Sequence, residues 1–150
     1  MFIERCLQFL KDYGRLAIVL PDGDLTNQNT EYVRQFIMSK ARILAVVSLP
    51  QETFVPHGAG VKASVLFVQK LPQEELKKLE KKDYPIFFAV IEKIGYDIRG
   101  RTVFKKDEKG EPIKDEKGNF VIDTDIPEII ESFREFRRKY KIKFYSWEEL

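Results

Sequence analysis

Three short apolar runs constrain the fold of this chain more than any other feature. They occupy residues 16–20, 43–49 and 64–68 and are rich in Ile, Leu and Val. Because polar residues do not alternate with the apolar ones, each run is typical of a strand that is buried on both faces. A helix-sized segment separates the first run from the second, whereas only a loop separates the second from the third.

The connections between these runs predict the order of the strands. Two strands joined through a helix form a parallel pair with a right-handed crossover. A connection without a helix favours an antiparallel pair. We therefore predict an α/β fold with a mixed sheet, in which the third strand lies between the first and the second. A further apolar run at residues 85–91 predicts one more strand.

Two helices are predicted to cover this sheet. The first lies within residues 2–10 and stops near Gly14. The second begins at Asn29 or Thr30, after a polar loop at residues 24–29. The side chains expected to face inward are Phe2, Ile3, Cys6, Leu7 and Leu10 in the first helix and Val33, Phe36 and Ile37 in the second.

The second half of the chain is more charged. Residues 71–83 predict a short exposed helix, and the sequence KDEKG at residues 106–110 recurs at 114–118. Each copy ends in a Gly-bearing turn, which indicates an exposed ribbon or loop. A last helix from about Pro127 is acidic at its start and basic at its end, which suits the helix dipole. Its inward residues are expected to be Ile129, Ile130, Phe133, Phe136 and Tyr140.

Composition sets outer bounds on what the chain can be. The 150 residues are enough for one domain, and no apolar run approaches the roughly 20 residues of a membrane span. The net charge of +2 is too small to indicate nucleic-acid binding by itself. The single cysteine, Cys6, suits a reducing compartment. We expect a cytoplasmic domain with no membrane segment.

Both ends of the sequence suggest a piece cut from a larger protein. Met1 leads directly into an apolar helix pattern, and residues 146–149 match the capping box that opens a helix, just before Leu150. The alternative is two frayed termini. We therefore expect residues 1–70 to be the sheet of a fragment, and residues 71–150 to continue it.

Two loops lie where ligands bind in open α/β sheets, at the carboxyl ends of strands: residues 21–29 and 52–62. Asp22 could accept hydrogen bonds from a ligand, although Pro-Asp-Gly is equally an ordinary turn. Phe54 could offer a flat stacking face, or it could plug the end of the sheet. Lys62 could contact a phosphate.

The remaining candidates of these loops are less specific. Gly58 and Gly60 would let the backbone approach a partner closely. His57 is the only histidine and has no second ligand at metal-binding spacing, so an exposed loop histidine is the favoured interpretation. Ser48 and Ser64 lie within strand runs and are interpreted as structural. Neither G-x-G-x-x-G nor a P-loop occurs in the sequence.

Longer stretches of the sequence resemble one family. These stretches are RLAIVLPDGDLTN, ILAVVSLPQETFVPHGAGVKASVLFVQK and IGYDIRGRTVFKKDEKGEP. They are similar to the methylation subunit of type I restriction–modification enzymes, which are adenine-specific DNA methyltransferases that use S-adenosylmethionine. The resemblance implies part of a Rossmann-like methyltransferase sheet, whose last strand is antiparallel and inserted between the two before it. The three predicted strands would be the fifth, sixth and seventh.

The resemblance also implies roles for particular residues. The family's Gly-containing cofactor loop and its Asn-Pro-Pro-aromatic motif do not occur in this sequence. The chain is therefore expected to be the C-terminal half of the catalytic sheet and to be inactive alone. Phe54 would stack on a flipped-out adenine, and Lys62 would contact a DNA phosphate. The residues expected to border the active site are Pro21, Asp22, Gly58 and Gly60.

The implied partners are DNA, a specificity subunit and a restriction subunit, with S-adenosylmethionine as the cofactor of the full-length protein. Strand 16–20 is expected at an edge of the sheet, which would favour self-association of the isolated fragment. Two alternatives remain open. One is a non-catalytic module that docks a subunit or DNA through the charged ribbon and last helix, and the other is an unrelated nucleotide-binding α/β domain.

Overall fold

A mixed four-stranded open sheet forms the centre of the computed structural model, which describes residues 2–80 and 83–142. The strands follow one another across the sheet in the order β1-β3-β2-β4. β3 is antiparallel to both β1 and β2, whereas β4 is parallel to β2. The predicted insertion of the third strand and the strand predicted at residues 85–91 are therefore confirmed. The strands are β1 Arg15–Pro21, β2 Ala41–Ser48, β3 Ala63–Lys70 and β4 Phe87–Val90.

Five helices surround this sheet in the described part of the chain. The short helix predicted within residues 71–83 is confirmed as α4, in which Leu76 is the buried residue. The predictions for Met1 and for the capping box at residues 146–149 lie outside the described residues. The helices are α1 Phe2–Phe9, α2 Asp22–Thr26, α3 Glu31–Met38, α4 Gln73–Leu79 and α5 Ile126–Lys139.

The polar loop predicted at residues 24–29 is wrong. Asp22 opens the helix α2 directly after β1, and a 3-10 turn follows at Gln28–Thr30. The reason lies in the residues that were interpreted as a turn. Pro21, with a φ of −55°, takes the N-cap position, and acidic residues occupy the first turn, where the helix dipole favours them.

Two details of the first predicted helix are also wrong. Phe2 is 76% exposed, so its side chain lies outside the face of α1 that packs on the sheet. The helix ends at Phe9 and not near Gly14. Gly14 instead starts the pairing of β1 with β3, since its carbonyl accepts a hydrogen bond from the Lys70 N–H at 2.8 Å. Ile3 and Leu7 are buried as predicted.

The main hydrophobic core lies on the sheet face that α1, α2 and α3 cover. Alternate residues of β1 point into this core, whereas Ala17 and Val19 on the opposite face are exposed. The prediction that all three runs are buried on both faces is therefore wrong for β1. The reason is that β1 is an edge strand, as predicted, and that α5 packs on this opposite face mainly over β4, away from Ala17 and Val19. The core residues are Ile3, Leu7, Ile18, Leu20, Val33, Ile37, Ala41, Leu66 and Val68.

The opposite face carries a smaller cluster and α5. Val47, Leu49 and Ile91 form this cluster, and Ile129 of α5 packs against it. Further along α5, the rings of Phe133 and Phe136 lie 5.2 and 5.4 Å from the ring of Phe87 in edge-on contacts. Ile130 and Tyr140 are each 46% exposed, so their predicted inward orientation is wrong. α5 contacts the sheet along one narrow stripe, mainly over β4.

Three consecutive hairpins connect β4 to α5. We call residues 94–124 the three-hairpin cap. Three backbone hydrogen bonds close its centre: Lys105 N–H to Val121 O, Ile113 N–H to Lys105 O, and Val121 N–H to Ile113 O, at 2.8–2.9 Å. The two KDEKG copies form exposed turns in the second and third hairpins, as predicted. No helix within residues 2–80 and 83–142 has the length and apolar character that crossing a membrane requires.

Candidate functional site

The carboxyl ends of β1 and β2 meet at one rim of the sheet, together with the start of β3. The Asp22 N–H donates to the Lys62 carbonyl at 3.0 Å, and the Leu49 N–H donates to the Ala63 carbonyl at 3.0 Å. The segments that follow β1 and β2 are therefore neighbours, as expected for parallel strands. The structure brings the two candidate loops of the sequence together.

The strongest polar link at this rim joins Asp22, Lys62 and Ser64. The Ser64 hydroxyl donates to Oδ1 of Asp22 at 2.7 Å, and Nζ of Lys62 lies 3.8 Å from Oδ2. Ser64 is 4% exposed, whereas the side chains of Lys62 and Asp22 are 45% and 29% exposed. An ion pair this open contributes little to stability. The serine bond is therefore the firmer contact.

The loop after β2 is built from tight local turns. The Thr53 hydroxyl donates to the Pro50 carbonyl at 2.8 Å, and a 3-10 turn follows at Val55–His57. Gly58 ends that turn with a φ of +81°, a left-handed conformation that glycine adopts without strain. Gly60 accepts a hydrogen bond from the Gln51 side chain at 2.6 Å. Both glycines are exposed and have open space around them, so this stretch of backbone is accessible.

Phe54 lies at the centre of this loop and is half-buried. Its side chain packs against the cluster of Val47, Leu49 and Ile91 at the end of the sheet. Its carbonyl accepts hydrogen bonds from the N–H groups of His57 and Ala59, each at 3.0 Å. The packing alternative considered for Phe54 is thus present in the structure. Half-burial leaves part of the residue accessible, and its stacking role stays a prediction.

The other candidates of the sequence have ordinary surroundings. His57 is exposed on the loop, and Cys6 packs beside the main core from α1. Within the described ranges, no three His, Cys, Asp or Glu side chains are placed to hold a metal ion. Ser48 pairs with Ser64 across β2 and β3, inside the sheet.

The three-hairpin cap contacts the Phe54 loop from one side, which the sequence did not indicate. The Tyr96 hydroxyl donates to the Thr53 carbonyl at 2.8 Å. A Cβ placed on Gly100 would lie 3.4 Å from Cβ of Pro56, so the first turn of the cap touches the 3-10 turn. The only available signal was a third Asp-x-x-Gly turn, DIRG at residues 97–100, which resembles the two KDEKG copies.

Carboxylates hold the cap in place. Asp97 accepts hydrogen bonds from the backbone and side chain of Arg101 and from the Arg99 N–H, and these bonds lower the pKa of Asp97. Asp125 accepts the N–H groups of Lys93 and Glu92 at 2.8 Å each, which lowers the pKa of Asp125. Both carboxylates are therefore stabilised in the ionised form.

Two larger cavities lie on the faces of the sheet. One of about 590 Å³ lies between the sheet and α5 and is lined mainly by apolar side chains, with Arg15, Arg134 and Arg137. Another of about 410 Å³ lies on the opposite face, and its polar lining includes Asp22 and Arg34. This second cavity reaches the rim, because Ser48 at the end of β2 and Ser64 at the start of β3 also line it.

Comparison with known proteins places this sheet and its rim in a family. The sequence profile described as N-6 DNA Methylase matches residues 1–148. A curated relative, the type I restriction enzyme EcoEI methylase subunit of Escherichia coli, is 31% identical over 71 residues, which are 47% of this chain. The chain spans only 14% of the length of that relative.

Three solved structures share similarity with the chain. A protein from Listeria monocytogenes described as a class I S-adenosylmethionine-dependent methyltransferase is 22% identical, with a TM-score of 0.47, over 59% of this chain and 25% of its own. A chain from a type I restriction–modification system is 20% identical, with a TM-score of 0.41, over 87% and 21%. A protein from Vibrio vulnificus YJ016 described as a type I modification subunit is 13% identical, with a TM-score of 0.42, over 81% and 30%.

The profile match spans every residue from α1 through α5 and includes both rim loops. The chain therefore belongs to the N-6 DNA methylase family.

Proposed function

We propose that this chain is part of an adenine-specific DNA methyltransferase of a type I restriction–modification system. The whole protein would transfer a methyl group from S-adenosylmethionine to the amino group of adenine, in the cytoplasm. Family membership over residues 1–148 supports the reaction class, and the 31% identical methylase subunit supports the type I system. The observation that carries the proposal is the Phe54 loop at the carboxyl rim of a sheet whose β3 is inserted between β1 and β2.

Phe54 has a defined task in this proposal. An adenine inside a duplex has its methyl acceptor buried, so the enzyme must flip the base out of the helix. A flat aromatic face stabilises an extruded base by roughly 1–3 kcal/mol. Phe54 lies on a half-buried loop at the rim, with its backbone fixed by the His57 and Ala59 N–H groups. It can therefore offer such a face without having to order a mobile segment first.

Lys62 and the loop backbone would contact the DNA around the extruded base. The ion pair between Lys62 and Asp22 is 3.8 Å long and accessible to solvent. Because such a pair contributes little free energy, Lys62 can leave Asp22 and bind a DNA phosphate at little cost in stability. The open backbone at Gly58 and Gly60 allows close approach of the strand. Pro21 and Asp22 would border the site from the end of β1.

We propose that the isolated chain is inactive and does not bind S-adenosylmethionine. Its sequence contains no Asn-Pro-Pro-aromatic motif and no glycine-rich cofactor loop, and these are the motifs that the resemblance assigns to holding the target amino group and the cofactor. Titration calorimetry with purified chain should show no heat of binding. Micromolar affinity would contradict the proposal.

The partners follow from the same assignment. DNA, a specificity subunit and a restriction subunit would act with the whole protein. In the isolated chain, the apolar edge strand β1 exposes Ala17 and Val19 and invites pairing with a second copy. We expect self-association of the purified chain, and a monodisperse monomer in sedimentation would contradict this expectation.

A second function is a non-catalytic module that docks DNA or another subunit. The three-hairpin cap favours it, because the cap is rich in charged side chains of both signs and its five lysines are all exposed. If this function were the right one, substitutions in the cap would weaken complex formation, and substitutions at Phe54 would have no effect on methylation. The five lysines are Lys105, Lys106, Lys109, Lys114 and Lys117.

The deciding experiment replaces Phe54 by leucine in an active methyltransferase that carries this chain. Leucine retains apolar packing against Leu49 and Ile91 but removes the flat face. We expect methyl transfer from labelled S-adenosylmethionine to DNA to fall about tenfold, as the loss of one stacking contact predicts. The matched control is Phe36→Leu, at a partly buried position beside the main core. Unchanged turnover of the Phe54 variant would remove Phe54 from the site.

A further inference from the structure

One hydrogen bond from the three-hairpin cap reaches the loop that carries Phe54. The Tyr96 hydroxyl donates to the Thr53 carbonyl at 2.8 Å, across 43 positions of sequence. Thr53 immediately precedes Phe54 and is 4% exposed. The bond therefore acts on the backbone directly beside the candidate stacking residue.

The other hydrogen bonds of the loop are local. Those described for residues 51–60 join these residues to one another or to Pro50. Among the described residues, Tyr96 is thus the one hydrogen-bond donor from another element that fixes this loop. The contact between Gly100 and Pro56 adds packing at the same place. Without Tyr96, the loop would be held by its own turns and by the packing of Phe54.

Hydrogen bonds of neighbouring residues hold the backbone around Tyr96. The next residue, Asp97, closes a turn by accepting the N–H groups of Arg99 and Arg101 at 2.9 and 3.0 Å. At the base of the cap, Asp125 accepts the N–H groups of Glu92 and Lys93. Asp125 also precedes α5, which packs on the sheet. The position of the tyrosine is therefore tied to the sheet on which Phe54 packs.

We propose that Tyr96 is a positioning residue that holds Phe54 in place for an extruded base. The proposal rests on the proposed function of Phe54. Tyr96 does not touch the base in this account, and it acts through the Thr53 carbonyl. The three-hairpin cap thereby gains a role in methylation without contacting DNA.

The first test uses the chain itself and does not depend on methyltransferase activity. In Tyr96→Phe, the ring stays and the hydroxyl donor is lost. We expect hydrogen exchange of the His57 and Ala59 amides, which bond the Phe54 carbonyl, to accelerate about tenfold through local opening. The matched control is Tyr84→Phe, whose hydroxyl accepts the Ile43 N–H at the opposite end of β2. Unchanged exchange at the loop, or equal acceleration along the whole chain, would overturn the proposal.

The second test measures kinetics in an active methyltransferase that carries the chain. Tyr96→Phe should lower kcat per active site severalfold and leave the KM for S-adenosylmethionine unchanged. In a Phe54→Leu background, Tyr96→Phe should cause no further loss, because both changes affect the same contact. Additive losses in the double variant would overturn the proposal. If Phe54→Leu alone leaves turnover unchanged, the proposed function fails, whereas the exchange result still decides what Tyr96 does to the loop.

Discussion

The hydroxyl of Ser64 donates a 2.7 Å hydrogen bond to the carboxylate of Asp22, across 42 positions of sequence. This bond joins the first residue of α2 to the start of β3, at the rim where the Phe54 loop begins and ends. Ser64 is buried and Asp22 is partly buried, which makes the pair sensitive to loss of either partner.

Ser64→Ala should destabilise the chain. The substitution removes a hydrogen bond to a partly buried carboxylate, and bonds to charged groups contribute about 1.5–3 kcal/mol. Because the Asp22 side chain is 29% exposed, water can replace part of the lost bond, and we expect a loss near 1.5 kcal/mol. Chemical denaturation measures this loss. The matched control is Ser48→Ala, at the position paired with Ser64 across the sheet. Equal free energies of unfolding for the two variants would contradict a stabilising role of the hydrogen bond from Ser64 to Asp22.

Gly95→Ala should disturb the three-hairpin cap more than Gly110→Ala. Both glycines have positive φ values, +96° and +85°, so either alanine pays about 1 kcal/mol of backbone strain. A Cβ at Gly95 would also lie 2.8 Å from Cγ2 of Ile122, whereas nothing lies within 4 Å of a Cβ at Gly110. We expect Gly95→Ala to cost about 3 kcal/mol in total. Thermal unfolding of both variants measures the difference. Similar melting temperatures would contradict the prediction and would show that the Ile122 side chain moves away from the new methyl group.

The three-hairpin cap should lose stability in acid. The pKa values of Asp97 and Asp125 lie below the ordinary 3.8, because backbone N–H groups stabilise the ionised carboxylates. The unfolded chain takes up these protons first as the pH falls, so the stabilisation is complete above pH 3.8 and is lost as the pH falls through the lower folded-state pKa. Carbon-detected NMR titration of the two carboxyl groups should give midpoints below 3.8. Midpoints at or above that value would contradict the hydrogen-bonding account.

The sheet could be predicted from the sequence because apolar runs and connector lengths carry its information. Runs at residues 16–20, 43–49 and 64–68 are each long enough for one strand, and the helix-free connection dictated the antiparallel pair. The exposure of Ala17 and Val19 could not be predicted in this way. An unbroken apolar run does not indicate which neighbouring elements cover each face, and α5 lies too far toward β4 to cover β1.

The candidate site could be predicted only in part, for a related reason. Asp22 and Phe54 follow strand ends and Lys62 directly precedes a strand, and such boundaries are visible in the sequence as changes between apolar and polar residues. The bonds of Ser64 with Asp22 and of Tyr96 with Thr53 join residues 42 and 43 positions apart. Such contacts depend on the register of β3 and on the path of the cap, and no local pattern encodes either one.

The central claim is that Phe54 stacks on the extruded adenine. Photochemical crosslinking tests it most directly, with 5-iodouracil in place of the target adenine in a duplex bound by an active methyltransferase that carries this chain. We predict that irradiation links the base to Phe54, and that Phe54→Leu abolishes the link while DNA binding persists. A crosslink that forms equally in the leucine variant, or one that maps only outside residues 52–62, would contradict the account.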